Sequence, residues 1–294
     1  MSTSGPLVSV VIPCYNHQSF VQDSIQSVID QSYKNIELII IDDGSKDNSV
    51  QKIEEMILAC EQRFTRFEFR NRPNKGLSAT LNEALEWCQG KYFAVLASDD
   101  LILPHKTEVQ VSFLEQHPEV NSVFAGVKLI DSRHKELSVS LRKPGVYSFE
   151  SIIMNKHDFP AATQLLRLEA VKQVGGYNPK IALEDWYMWL KLSQIGDIYY
   201  LNEVLGLYRQ HDSNFSGNIE KMMQGRIEVL NCFKDSEYYE PAMEKVLWSN
   251  ARREFESKKG LEKLEKFSGL FKQKPLKATN LVFKQMIKKV KNKQ

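Results

Sequence analysis

The chain has 294 residues, 42% hydrophobic and 26% charged, which is the composition of a globular protein with a sizeable core. No apolar run reaches the length of a membrane span, and the start "MSTSGPLVSVVIP" lacks a basic segment and a cleavage site, so a cytoplasmic protein is expected. Cys14, Cys60, Cys88 and Cys232 are widely spaced without a CxxC pair, which argues against a zinc site or a disulfide framework.

In chain order, "LVSVVIP" is a short β-branched apolar run, and "SFVQDSIQSVIDQ" follows with a helical stripe at Phe20, Val21, Ile25, Val28 and Ile29. "NIELIIID" predicts a second buried strand and "SVQKIEEMILAC" a helix. "RFEFRN" predicts a third strand, "LSATLNEALEWC" a third helix and "KYFAVLA" a fourth strand. Strands apolar on both faces, with a helix between each pair, predict an α/β fold with a mostly parallel central sheet covered on both faces. From about residue 104 the pattern changes to a helix "PHKTEVQVSFLEQH", a strand "VNSVFAGVKLI", a polar stretch 131–145, a helix "LEDWYMWLKLSQIG" and a strand pair "DIYYLN" and "VLGLYRQH". Beyond residue 218 the chain reads as helical. The expected organisation is one α/β domain over 1–217, with halves 1–103 and 104–217, and a helical, basic extension over 218–294.

Open α/β sheets bind ligands beyond the carboxyl ends of their strands. The polar clusters "PCYN" (13–16), "DDGS" (42–45), "NRPNKG" (71–76) and "SDD" (98–100) all fall at that edge. Adjacent carboxylates repel, so Asp99 and Asp100 suggest either a solvated capping turn or a bound cation. The first turn has no GxGxxG, and no GxxxxGK[ST] is present, so phosphate must be held by other means. Arg72 and Lys75 are the nearest positive charges to such a group, or else parts of a solvated turn.

These residues resemble glycosyltransferase family 2, inverting nucleotide-sugar-dependent enzymes of the GT-A fold and of bacterial surface-glycan type. "VSVVIPCYN", "ELIIIDDGSKDNS", "NKGLSATLNEAL", "FAVLASDD", "GGY" with "LEDWYMWLKL", and "YRQHDSNFS" occur in the family's order from about Leu7 to Ser216. The resemblance implies that Asp100 binds a divalent cation, Mn²⁺ or Mg²⁺, and that Asp99 contacts the ribose or a metal-bound water. It also implies that His211 reaches the metal or the diphosphate. Asp43 would bond the imide nitrogen of uracil in a base pocket made with Pro13 and Tyr15. Asp185 would be the general base, Glu184 would orient it or touch the acceptor, and Trp186 would offer an apolar platform to a sugar, while Trp189 is expected in the core.

The implied activity is transfer of a single sugar from a nucleotide-sugar, a UDP-sugar in preference to a GDP- or dTDP-sugar, to a glycan or lipid-linked saccharide acceptor. Processive synthases of the family carry membrane spans and QxxRW, which are absent from this sequence; "QLLRL" lacks the tryptophan. A nucleotidyltransferase is the alternative enzyme, though it would be expected to show a glycine-rich basic loop after the first strand. A silent nucleotide-sugar or glycan-binding protein on the same fold is the alternative outside enzymology.

Residues 252–294 hold 14 of the 39 basic and 4 of the 37 acidic residues, so a basic tail follows an acidic body. "LVFKQMIKKVKNKQ" sets Val282, Phe283, Met286, Ile287 and Val290 on one helical face and Lys284, Lys288 and Lys291 on another. Such a helix either lies on an anionic membrane surface, here the inner face of the cytoplasmic membrane, or packs on its own domain. No nucleic-acid partner is expected, because no basic patch is interleaved with aromatics.

Overall fold

The computed structural model describes residues 5–212, 214, 217–258, 262 and 265–269. The first half follows the expected alternation. β1 (Val8–Cys14), α1 (Val21–Ile29) and β2 (Ile36–Asp42) come first. The predicted second helix is divided into α2 (Ser49–Glu54) and α3 (Ile57–Arg63). β3 (Arg66–Asn71), α4 (Leu77–Trp87) and β4 (Tyr92–Val95) complete this half. Every residue of β2 is buried and β1 has one half-buried position, as strands covered on both faces should be. β3 is only half-buried because it lies at the sheet edge. Ile12, Ile25, Leu38 and Ile40 are fully enclosed in the main core, each contributing about 1.5–3 kcal/mol.

β2 carries two acidic residues, Asp42 at its end and Glu37 near its start; Glu37 lies inside the sheet, between β1 and β3. Its carboxylate accepts from Ser9 Oγ at 2.5 Å, Arg66 Nη1 at 2.9 Å and the Gln89 amide at 2.6 Å. A buried charge met on several sides in this way avoids the penalty of an unpaired one.

The second half comprises β5 (Leu101–Ile102), α5 (Lys106–Gln116), β6 (Val120–Asp131), β7 (Glu136–Ser140), β8 (Gly145–Tyr147) and α6 (Phe149–Ile153). A 3₁₀ turn (Ala161–Thr163), β9 (Leu165–Arg167), α7 (Leu168–Gln173), α8 (Glu184–Ser193) and β10 (Asp197–Gln210) follow. Two expectations are corrected here. The polar stretch 131–145 contributes β7, which pairs antiparallel with β6, and the start of β8, which pairs antiparallel with β10. The predicted pair "DIYYLN" and "VLGLYRQH" is one long strand, β10, whose register on β6 shifts between Leu201 and Val204 and between Val204 and Gly206. The bulges absorb Asn202 and Glu203, so the polar interruption bends the strand without ending it.

The sheet order is β3-β2-β1-β4-β9-β6-β10-β5. β1, β2, β3 and β4 pair in parallel, whereas β9 runs antiparallel to both β4 and β6. The order reverses at β1, with β2 on one side and β4 on the other. The crevice beyond the carboxyl ends of β1 and β4 is therefore the place for a ligand.

Lys106, at the start of α5, is 1% exposed, and its Nζ donates to the Gln164 carbonyl at 3.2 Å. Burial pushes its pKa down to about 7 from 10.5. An amine whose folded pKa lies below its unfolded one weakens the fold at low pH, and stability recovers as pH rises from about 7 to about 10.5. Lys106→Met is expected to stabilise the protein near pH 6 by about 1–4 kcal/mol and to remove that rise. Urea denaturation near pH 6 and near pH 9 measures both effects, and an unchanged or lowered midpoint near pH 6 would contradict this reading.

Contacts divide the chain into two units, Met1–Gly225 and Arg226–Gln294. α9 (Ile219–Asn231) runs through the division and α10 (Tyr239–Ser257) belongs to the second unit, where Phe255 packs with Trp248, Ala251 and Phe267. Among the described residues no helix is long and apolar enough to cross a membrane. The amphipathic helix expected around 282–291 lies outside the described residues.

Candidate active site

A cleft of about 680 Å³ opens at the β1/β4 reversal. Pro13, Tyr15, His17, Asp43, Asp99, Asp100, Glu184 and Asp185 line it, together with Gln164, Tyr177, Asn214 and Lys221. Most of the residues singled out in the sequence thus come together, although they are spread over more than half the chain.

One end of the cleft is built by the turns after β1 and β2. Asp42 accepts from the Ser45 amide at 2.8 Å and from Ser45 Oγ at 2.5 Å, closing its own turn. Ser45 Oγ also accepts from the Asn16 amide, and Ser49 Oγ from the His17 amide, so the two turns are tied together. Gly44 has φ +76°, and a Cβ there would stand 2.7 Å from the Asn74 amide nitrogen, so only glycine lets the turn pass so close to residues 72–74. Asp43 is 5% exposed at the cleft wall, and its carboxylate accepts from the Lys75 and Gly76 amides at 2.8 and 2.9 Å. Tyr15 is 46% exposed, so its ring is a surface and not part of the core.

Arg72 does not offer the free charge expected of it. Its guanidinium forms an ion pair with Asp43, donates to Glu83 at 2.8 Å and reaches Thr80 Oγ1 at 2.8 Å. It is thus a brace for Asp43. The Lys75 ammonium is largely exposed and lies 3.9 Å from Glu83, off the cleft lining.

The other wall carries the paired aspartates, 7% and 4% exposed. Asp99 Oδ2 is 2.9 Å from His211 Nε2, 3.3 Å from Asn214 Nδ2 and 3.9 Å from His17 Nε2. Asp100 Oδ1 accepts from the Arg209 amide at 2.9 Å, and Arg209 Nε donates to the Asp99 carbonyl at 2.8 Å. The ligand atoms that converge are therefore those of Asp99, His211 and His17. Asp100, expected to be the ligand, lines the cleft with one oxygen tied to β10 by that backbone bond and is not one of these three converging groups. Burial, then the neighbouring Asp99 charge, pushes the Asp100 carboxyl well above the usual range. Two buried carboxylates beside imidazole nitrogens form a donor set that fits a divalent cation, whose charge would relieve that strain.

The floor holds Glu184 and Asp185 in the first turn of α8. Asp185 Oδ1 accepts from the Trp186 amide at 2.6 Å, so one oxygen caps the helix. Both carboxyls keep some exposure to the cleft, but surrounding protein pushes both pKa values upward, that of Glu184 to about 8 through burial and then the Asp185 charge. Tyr177 stands beside them; burial and then these two carboxylates raise its pKa, holding the phenol protonated. Asn82 of α4 fixes that tyrosine, donating to its carbonyl at 2.7 Å and accepting from its amide at 2.8 Å. The preceding Gly176, at φ +71°, passes so close that a Cβ would lie 2.7 Å from Asn82 Oδ1, which explains the "GGY" spelling.

Trp186 differs from expectation. It is 5% exposed, and its Nε1 donates to the Ile152 carbonyl at 3.0 Å, so it packs inward and does not line the cleft. Trp189 is in the core, as expected, at 3% exposed. Sequence reasoning missed His17 and Tyr177, although His17 directly follows the first polar cluster, where position alone was a signal.

The sequence model described as Glycosyl transferase family 2 matches residues 9–175. The chain is 32% identical to a glycosyltransferase of Rickettsia typhi over 222 residues, which are 72% of this chain and 66% of that one. It is also 32% identical to the glycosyltransferase EpsE of Bacillus subtilis over 219 residues, 72% of this chain and 76% of that one. Against longer relatives it spans only about a third of their length. Among solved structures, S. aureus TarS in complex with UDP-GlcNAc superposes with a TM-score of 0.66 at 16% identity, covering 94% of this chain and 83% of that one. The Pyrobaculum calidifontis mannosyltransferase PcManGT, in complex with GDP-Man and Mn²⁺, gives 0.63 at 13% identity, covering 95% and 86%. At those identities the likeness shows the fold, GT-A, and the motif order, the cleft and the sequence match agree on one assignment. The chain belongs to glycosyltransferase family 2.

Proposed function

We propose that this transferase moves a single sugar from a nucleoside diphosphate sugar, a UDP-sugar, to a hydroxyl of a glycan or lipid-linked saccharide, with inversion at the anomeric carbon. The observation that carries this reading is the meeting of Asp43, Asp99 and the Glu184–Asp185 pair in one cleft at the sheet reversal. Asp43, held rigid by Arg72 and two amides, accepts from the base, with Pro13 and Tyr15 forming the pocket walls. Asp99 and His211 hold a divalent cation, Mn²⁺ or Mg²⁺. When bound, that cation stabilises the charge left on the diphosphate as it departs.

Asp185 takes the proton from the acceptor hydroxyl as the oxygen attacks the anomeric carbon from the face opposite the leaving diphosphate. Burial favours this role, because a carboxylate with a raised pKa is a stronger base. Glu184, protonated up to about pH 8, donates a hydrogen bond to the acceptor or to Asp185. The basic tail brings the enzyme to the cytoplasmic face of a membrane where lipid-linked acceptors lie.

A thermal-shift panel of UDP, GDP and dTDP, each with and without Mn²⁺, tests the donor side. One nucleotide is expected to stabilise the protein only with metal, by about 2.7 kcal/mol at a hundredfold excess over its dissociation constant. Absence of a shift with every nucleotide in folded protein would overturn the reading.

A further inference from the structure

The cleft holds one more imidazole than the proposed chemistry uses. His17 stands directly after the first strand's turn, and its Nδ1 is 2.7 Å from Ser98 Oγ, the residue preceding the aspartate pair. With Ser98 accepting, Nδ1 carries the proton and the Nε2 lone pair is free to bind a metal. That Nε2 is 3.9 Å from Asp99 Oδ2, which in turn is 2.9 Å from His211 Nε2, and the three ligand atoms lie within 4.8 Å of one another. Ligands about 2.0–2.2 Å from a shared ion stand roughly 3–4 Å apart, so only small adjustments separate this arrangement from a coordinated one.

The placement of His17 is built on several sides. Its amide donates to Ser49 Oγ at 2.9 Å, its ring meets Phe20 edge-on at 6.1 Å, and it meets the His211 ring nearly perpendicular at 5.8 Å. His211 is itself stacked on Phe20 at 4.7 Å. Both imidazoles are thus oriented by the same phenyl ring, with their Nε2 atoms turned to one carboxylate oxygen.

Resting on the donor-binding role proposed for the cleft, we infer that His17 is a third protein ligand of its divalent cation, and that the two-imidazole, one-carboxylate set selects Mn²⁺, Co²⁺ or Zn²⁺ over Mg²⁺. Mg²⁺ demands oxygen donors and gives up water reluctantly, whereas imidazole nitrogen suits the later ions. A donor set of carboxylates alone would carry a weaker preference of this kind.

The test uses the full chain with UDP present, titrated with Mg²⁺, Mn²⁺ and Co²⁺, and electron spin-echo modulation of bound Mn²⁺ to count coordinated imidazole nitrogens. Wild type is expected to show two nitrogens and His17→Gln one. His17→Gln is expected to lose about 10–100-fold in Co²⁺ affinity with little change for Mg²⁺. Ser98→Ala, which leaves both rings in place, keeps two nitrogens and weakens Co²⁺ by about tenfold. One nitrogen in wild type, or equal losses for Mg²⁺ and Co²⁺ in His17→Gln, overturns the inference and leaves the donor site standing. Failure of UDP itself to bind, with or without metal, overturns the donor reading as well.

Discussion

Asp185→Asn is expected to lower kcat by about 10²–10⁴-fold while nucleotide affinity and melting temperature stay close to wild type. The amide keeps the shape of the side chain and can still accept from the Trp186 amide through its oxygen, as Asp185 Oδ1 does at 2.6 Å. What it cannot do is take a proton. The pH profile provides a second signature. Burial pushes Asp185 above the usual carboxylate range, and Glu184 lies beside it with its pKa raised to about 8. A base must be ionised to act, so kcat/KM rises with pH, with its acid limb displaced upward from that of a free carboxylate. Two coupled carboxyls release protons in two steps that belong to the pair. Glu184 is still protonated while Asp185 ionises, so Glu184→Gln, which keeps a neutral hydrogen-bond donor there, is expected to leave the acid limb in place and to remove the second step near pH 8. The same pair affects stability, because a carboxyl with a raised folded pKa stabilises most below its unfolded value. For Glu184 that contribution is lost as pH rises from 4.5 to about 8, a slope that Glu184→Gln should flatten. An Asp185→Asn protein that retains full turnover would exclude it as the base.

The second large effect is expected at Arg209, the largest fully buried side chain described, whose guanidinium lies behind the aspartate pair. It donates to the Asp99 carbonyl at 2.8 Å and to Asp23 Oδ2 at 2.9 Å, and sits 4.9 Å from the centre of the Phe20 ring. Its charge and its amide pull the Asp100 pKa down against the larger upward push of burial and the Asp99 charge. Arg209→Met is expected to cost about 3–5 kcal/mol, the usual result of leaving a buried charge without its partner. Saturating Mn²⁺ with UDP should recover part of that loss, since a metal ion brings positive charge back to the same wall. Denaturant titration with and without both ligands reads the two effects. A loss under 1 kcal/mol (about the value of a surface pair) would mean that the aspartate wall does not depend on this guanidinium.

The parallel half of the fold was legible because its strands are wholly apolar and its helices carry clear stripes. Periodicity needs length, and the elements that escaped lacked it. β5 has two residues and β8 three, and both exist only because β10 lies alongside. β7 escaped because its residues are mostly exposed, so no buried face marks it in sequence. Asn202 and Glu203 in β10 read as a turn between strands, because a bulge and a turn both interrupt apolar alternation.

In the site, Asp43, Asp99, Glu184 and Asp185 were legible through the order of their motifs. Side-chain partners were less so. The sequence puts Arg72 and Asp43 at one edge of the sheet, but the commitment of Arg72 to Asp43 and Glu83 depends on how α4 faces β3. Trp186 and Asp185 are neighbours in sequence, yet helical geometry turns one inward and leaves the other on the cleft. The bond from the Arg209 amide to one oxygen of Asp100 is likewise a tertiary contact that no local pattern displays.

On the proposed reading, this cleft binds a nucleoside diphosphate through a metal at the aspartate wall. Anomalous diffraction from crystals grown with UDP and Mn²⁺ tests it most directly. A manganese peak bonded to Asp99 and His211 and to diphosphate oxygens is expected, with uracil against Tyr15 and Asp43. Nucleotide bound elsewhere, or bound in this cleft with no manganese at Asp99, would contradict it.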